Sequence, residues 1–347
     1  MPGLREQLMI RLGMIGCGSM GKYHAQVIKD LPNVKVVSCC DLIEEKAKAL
    51  ADILRCKHCI DYRQAFEGVE AVWVCTEPFN RLDIVTAAAA AGKHIFTEKP
   101  IALTLEEADT MIAAARKAGV KYMLGYCLQF WQPYSIMRDI FASGQLGTLV
   151  NCWTRRYMPT DMRPYWYGKQ HLSGGVLLDF GSHDIDWLMT LGGPVKTVFG
   201  KTFRIRRNID ADEHGQCMLV FAGGGMGASD ITWWDSVPES SLGIVGTKGS
   251  LVANRSGVLT KKLVGQQETT IDVESAMAVD MSGNVGRRDE SGEIKRVDTK
   301  NETIQQHFFR CIEEDIPPIT DAQTGRDVLE VVIALRRSDE TGRSVDL

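Results

Sequence analysis

Asp179 and His183 stand four residues apart in the run Gly174-Gly175-Val176-Leu177-Leu178-Asp179-Phe180-Gly181-Ser182-His183-Asp184-Ile185-Asp186-Trp187. On a helix, positions i and i+4 share a face, so the spacing predicts a carboxylate and an imidazole presented together, two groups that accept and deliver protons. Taken alone, the stretch is more simply explained by a capping aspartate and a hydrogen-bonded histidine. Two other runs change that balance.

The first is Gly16-Cys17-Gly18-Ser19-Met20-Gly21, a G-x-G-x-x-G between an apolar run and a helical pattern. Glycines there let the backbone turn tightly and approach a pyrophosphate, whose charge the amides of a helix N-terminus meet. Asp41 ends the next apolar run, where a carboxylate can bind both ribose hydroxyls of an adenosine and repels a 2′-phosphate. Neither Leu42 nor Ile43 offers a cation, so NAD is expected rather than NADP. The second run is Thr97-Glu98-Lys99-Pro100, at the expected carboxyl edge of a parallel sheet, from which Lys99 can reach the nicotinamide side of the cofactor. Pro100 restricts the backbone of Lys99 to extended conformations.

These residues need elements to position them. In the first third, apolar strand-like runs (8–15, 34–40, 71–75, 94–97, 121–125) alternate with helical patterns (21–31, 44–54, 82–91, 105–118), which predicts a doubly wound parallel sheet. After Gly125 a helical stretch over 133–143 is followed by longer strand-like runs at 149–157, 195–205, 214–221, 226–234 and 242–245. Their texture predicts an α+β domain with a largely antiparallel sheet and the Asp179/His183 segment as an inserted helix. The expected domains are therefore residues 1–125 and 126–347. Residues 277–301 read as an exposed hairpin or loop, and residues 321–335 as a closing helix.

Composition narrows the partners. The net charge of −4 comes with no basic cluster of the size that a phosphate backbone demands, which argues against nucleic acid. Apolar stretches fall short of the ~20 residues that cross a bilayer, and the N-terminus has no signal-peptide pattern, so a cytoplasmic location is expected. Several of the ten cysteines sit in apolar runs and read as reduced core residues. Cys56 and Cys59 form one Cys-x-x-Cys, but no second pair completes a tetrahedral site, and no metal is expected.

The glycine loop, Asp41, Glu98-Lys99-Pro100 and the Asp179-x-Gly181-x-His183-x-x-Asp186 run, in this order and spacing, resemble the Gfo/Idh/MocA oxidoreductase family. Gly92-Lys93-His94-Ile95-Phe96, Gly246-Thr247-Lys248-Gly249-Ser250 and the segment 338–345 also resemble family features. The likeness implies an N-terminal Rossmann domain, a C-terminal α+β domain with an open sheet often used for dimers or tetramers, and an active site between them. It implies Lys99, Asp179 and His183 as the catalytic group, Glu98 near the nicotinamide ribose, and Gly16, Gly18, Ser19, Met20, Gly21, Asp41 and Thr76 around NAD. Two departures stand out: Glu77 and Arg81 occupy positions where relatives commonly carry Pro and His after the Thr, and Cys127-Leu128-Gln129-Phe130 keeps only the Phe of an Asn-Arg-Arg-Phe-like run.

The substrate must be read from residues before the catalytic segment: Arg155, Arg156, Tyr157, Arg163, Tyr165, Trp166 and Tyr167. Aromatic faces stack on sugar C–H surfaces and arginines bind hydroxyls or anions, so a carbohydrate or polyol is expected. Strand alternation sends Arg155 and Arg156 to opposite faces, and Arg155, Arg163 and Trp166 are the expected substrate contacts, beside Lys99, Asp179 and His183. Trp233 and Trp234 read as sheet core or a subunit interface. Two activities fit: an NAD-dependent dehydrogenase acting on a secondary hydroxyl, and a glycosidase that oxidises C3 transiently, eliminates and reduces again.

Overall fold

Short apolar runs alternating with amphipathic helices build a parallel sheet in the first of two units into which the chain divides. The computed structural model describes residues 9–160, 165–234, 238–255, 258–272 and 302–347, with two short strands at 287–288 and 294–295. In the first unit, β1 (Ile10–Ile15), β2 (Val34–Cys40), β3 (Lys57–Cys59), β4 (Ala71–Val74), β5 (His94–Thr97) and β6 (Tyr122–Leu124) lie in the order β3-β2-β1-β4-β5-β6, all parallel. Strand order reverses between β1 and β4, the switch point outside which such sheets bind ligands. Helices α1 (Ser19–Ile28), α2 (Glu44–Leu54), α3 (Leu82–Ala90) and α4 (Leu105–Ala118) supply the crossovers. The three-residue β3 was not anticipated, being too short and polar to carry a periodic signal.

In the second unit, α5 (Tyr134–Ala142) precedes β7 (Leu149–Tyr157). Three helices follow: α6 (Gln170–Ser173), α7 (Gly175–Asp179) and α8 (Ser182–Gly192). The sheet is completed by β8 (Val195–Phe203), β9 (His214–Phe221), β10 (Met226–Thr232), β11 (Glu239–Gly246), β12 (Gly249–Asn254), β13 (Val258–Leu263), β14 (Thr269–Asp272) and the closing strand Val345–Asp346. All its neighbours pair antiparallel except β7 and β10. Helix α8 packs on β7 and β10 on one face, while the other face exposes Phe199, Phe203, Met218, Val220, Met226 and Val252. Arg287–Arg288 and Ile294–Lys295 pair antiparallel, and the rest of the expected 277–301 hairpin lies outside the described residues.

The expected second domain, 126–347, needs a correction: residues 302–326 group with the first unit. They contain α9 (Ile304–Glu313), which opens with a capping box between Thr303 and Gln306. Its apolar face buries Phe308 and Phe309 against Trp73 of β4 and Phe96 of β5, which themselves stack at 3.6 Å. A final helix, α10 (Ala322–Thr341), outlasts the expected 321–335. No helix among the described residues is long and apolar enough to cross a membrane.

Candidate active site

Leaving β1, the chain turns at Gly16, whose φ of +88° is a conformation that side chains disfavour. A Cβ on Gly21 would lie 2.1 Å from the Gly16 carbonyl oxygen, so the loop closes only because both are glycine. Gly18 differs: a Cβ there would meet nothing within 4 Å. Behind that open space α1 begins with no side-chain cap and no acidic residue in its first turn, and Ser19 and Met20 are exposed. Uncapped amides facing open space suit an anion. Asp41 accepts from Cys17 N at 2.8 Å and from Ile43 N at 2.9 Å, which fixes its carboxylate beside the loop. Across the switch point, the Thr76 hydroxyl is buried with no hydrogen-bond partner among the described residues. The open space at Gly18, the pinned Asp41 carboxylate and the buried Thr76 hydroxyl are groups suited to the pyrophosphate and ribose of a dinucleotide.

β5 delivers Glu98 and Lys99. Glu98 is buried, and its Oε1 lies 2.7 Å from His24 Nε2 while Oε2 accepts from Lys99 N at 3.1 Å. The Gln305 amide donates to His24 Nδ1 at 2.9 Å, which leaves Nε2–H to donate to Glu98. Burial alone would raise the Glu98 pKa, but the His24 hydrogen bond and the nearby Lys99 and Arg81 charges hold it below the ordinary value. Glu98, expected as a ribose contact, thus uses its carboxylate inside the first unit, and its neighbour Lys99 is half-buried.

In the second unit, Asp179 and His183 are 8% and 9% exposed. The expectation of one continuous helix is corrected: Asp179 ends α7 and His183 lies in the first turn of α8, with Phe180 and Gly181 between. The break has a packing cause, since Phe180 N and Gly181 N both turn back to Val176 O, and a Cβ on Gly181 would lie 2.4 Å from Ile231 Cδ1. His183 Nδ1 is 3.9 Å from Cys127 Sγ, and its ring meets Tyr126 edge-on at 6.0 Å. Gln129, from the same divergent run as Cys127, donates to Asp186 Oδ2 at 2.8 Å. Asp186 is wholly buried, its Oδ1 has no partner among the described residues, and burial pushes its pKa up to about 7.

Arg156, from the helix-bearing face of β7, holds the α7–α8 break. It donates to both carboxylate oxygens of Asp184 and to Phe180 O at 2.8 Å, with its guanidinium 3.9 Å above the Phe180 ring. Arg155, the expected substrate contact, points to the opposite, open face of the sheet and pairs there with Asp230 and Glu239. Alternation is obeyed, but the face nearest His183 belongs to Arg156. Trp166 is half-buried and lies 4.2 Å from Tyr167, ring to ring. Arg163 lies outside the described residues. Trp233 is core, whereas Trp234 is half exposed with Arg206 over its ring.

No local signal marks the roles of Arg156, His24 or Gln129, because each depends on a partner far along the chain. The ten cysteines are thiols, not joined in disulfides; Cys39 Sγ and Cys56 Sγ are 3.6 Å apart.

Residues 10–126 match the oxidoreductase family with an NAD-binding Rossmann fold, and residues 134–252 match the GFO/IDH/MocA C-terminal domain. A myo-inositol 2-dehydrogenase of Thermotoga maritima is 26% identical over 352 aligned positions that cover 97% of this chain and 98% of its own. A 2,7-anhydro-N-acetylneuraminate hydratase of Escherichia coli is 27% identical over 252 positions, 70% of this chain and 67% of its own. The structure of a levoglucosan dehydrogenase with NADH and levoglucosan shares the fold at a TM-score of 0.83, with 21% identity, over 97% of this chain and 99% of its own.

Proposed function

The chain belongs to the GFO/IDH/MocA oxidoreductase family, whose first domain binds NAD, and from that premise we propose that it oxidises a secondary hydroxyl of a sugar, sugar derivative or cyclic polyol. One observation carries the reading: a family of NAD-dependent sugar and polyol oxidoreductases is matched by a chain that retains Lys99, Asp179 and His183 together. NAD, held by Gly16, Gly18, Ser19, Met20, Gly21, Asp41 and Thr76, supplies the hydride acceptor.

The chain's own residues manage the proton and the substrate. His183 takes the hydroxyl proton as general base. Lys99 hydrogen-bonds the same oxygen and stabilises the developing alkoxide, and Asp179 orients the substrate or the imidazole and offsets the lysine charge. Trp166 and Arg163 are assigned to the sugar, by stacking and by forked hydrogen bonds. Arg155 is removed from that group because it faces the open side of the sheet. A homodimer or homotetramer formed through that exposed apolar face completes the reading, and ten cysteines held as thiols support a cytoplasmic enzyme.

Net NADH, followed by absorbance with myo-inositol, levoglucosan and aryl glycosides, tests the activity. The hydratase relative supports the second reading, transient oxidation followed by elimination. That reaction releases aglycone without accumulating NADH, so the same assay separates the two. His183→Ala is expected to slow hydride transfer at saturating substrate by ~10²-fold or more. An unchanged single-turnover rate rejects His183 as the base.

A further inference from the structure

The peptide segment that carries Lys99 is gripped on both sides by a single buried side chain. Arg81 is 2% exposed, in the link between Pro78–Asn80 and α3. Its Nη1 donates to the carbonyl oxygens of both Glu98 and Pro100, the residues that flank Lys99. Its Nε and Nη2 donate to Thr76 O at 3.0 and 2.6 Å. One guanidinium therefore joins the loop expected to touch the cofactor to the two carbonyls that bracket Lys99.

We propose that Arg81 is the positioning residue of Lys99, fixing the backbone from which its ammonium is aimed at the substrate oxygen. The proposal rests on the reading of Lys99 as a substrate-oxygen donor. Three observations support a dedicated device. Burial disfavours the charged form of Arg81 and pushes its pKa down, so a cation is kept here against a solvation cost that a neutral side chain would avoid. Its bonds go to main-chain carbonyls rather than to a carboxylate, so they set backbone geometry. The third is that Lys99 N is separately held by Glu98 Oε2, whose approach needs Gly125, where a Cβ would lie 2.9 Å from that oxygen. Only a guanidinium has the planar fork to reach three carbonyls; an ammonium is a point donor and an imidazole carries two nitrogens. The Arg stands where the family resemblance places a His, so the clamp is a property of this chain.

The test is a double-mutant cycle in kcat, using whichever of myo-inositol and levoglucosan the wild type oxidises. Arg81→Lys keeps the charge and loses the fork. Arg81→His, a side chain that relatives accommodate here, is the second variant should the first not fold. Each is expected to lower kcat by ~10²-fold, the scale of an ångström's misplacement, with KM changed less than threefold. In a Lys99→Met background the same Arg81 substitution is expected to lower kcat no further. Trinitrobenzene sulfonate labelling of the Lys99 amine, followed by peptide mass spectrometry without substrate, is expected to change in rate in both Arg81 variants. Wild-type kcat in a folded Arg81 variant, or an equal further loss on top of Lys99→Met, overturns the proposal. If Lys99→Met alone leaves kcat unchanged, the catalytic reading fails first, and the labelling rate still reports whether Arg81 sets the position of Lys99.

Discussion

Arg156 meets both carboxylate oxygens of Asp184, at 2.9, 2.9 and 2.5 Å, and spends its remaining contact on the carbonyl of Phe180, the residue between Asp179 and the helix of His183. The Asp184 side chain is wholly buried and that of Arg156 is 11% exposed. Removing one partner of such a pair strands a buried charge, which typically costs about 3–5 kcal/mol. Arg156→Met is therefore expected to lower the urea midpoint strongly. Adding Asp184→Asn should recover much of the loss, because no charge is then left unpaired. Equal midpoints for the single and double variants would show that the pair does not couple.

Asp186 gives the second unit a pH signature. Burial raises its folded-state pKa from 3.8 to about 7, so the folded protein binds more protons than the unfolded chain between those values. The contribution is fully present below pH 3.8 and is lost as pH rises through 7. A shift of this size corresponds to up to about 4 kcal/mol. Asp186→Asn should flatten that slope and leave the protein more stable than wild type at pH 8. The check is denaturant unfolding at half-unit pH steps, with parallel wild-type and variant curves as the contrary result.

The parts of this architecture that were readable in advance share one property: their signal is local. The buried strands β1, β2, β4 and β5 read as apolar runs because both their faces are covered. The glycine loop and Asp41 fall a fixed distance apart because one strand and one helix separate them. Helix α9 was not read from the sequence, although the Thr303/Gln306 box and its apolar stripe are local signals; its return to the first unit rests on Phe308 meeting Trp73 and Phe96 more than 200 residues away. Arg155 and Arg156 show the limit best. Alternation separates them with certainty, yet which face is inside depends on where α8 packs, and that is decided by Asp184 and Gly181. Arg81 was visible as a departure, but its acceptors lie 17 and 19 residues further on.

We propose that cofactor choice rests on Asp41. A 2′-phosphate would meet a carboxylate already pinned by Cys17 N and Ile43 N, with exposed Leu42 and Ile43 beside it in place of a cation. Asp41→Ser should shift the ratio of kcat/KM for NADP over NAD upward by ~10-fold or more, equivalent to about 1.4 kcal/mol. Initial rates with both cofactors measure it, and an unchanged ratio would place discrimination elsewhere.

Gly18 and Gly21 separate folding from binding within four residues. At Gly21 an added Cβ would lie 2.1 Å from the Gly16 carbonyl oxygen, a backbone atom that cannot rotate away, so Gly21→Ala should lose about 1–3 kcal/mol of stability as well as NAD affinity. At Gly18 the backbone has φ −72°, open to any residue, and the Cβ would meet no protein atom within 4 Å. Gly18→Ala should therefore unfold within about 0.5 kcal/mol of wild type. Its methyl group would nevertheless stand at the uncapped start of α1, which we propose as the pyrophosphate site, and NAD affinity should fall by ~10-fold or more. Calorimetric titration with NAD beside urea unfolding of both variants makes the distinction. Full-strength NAD binding by Gly18→Ala would move the pyrophosphate away from this turn.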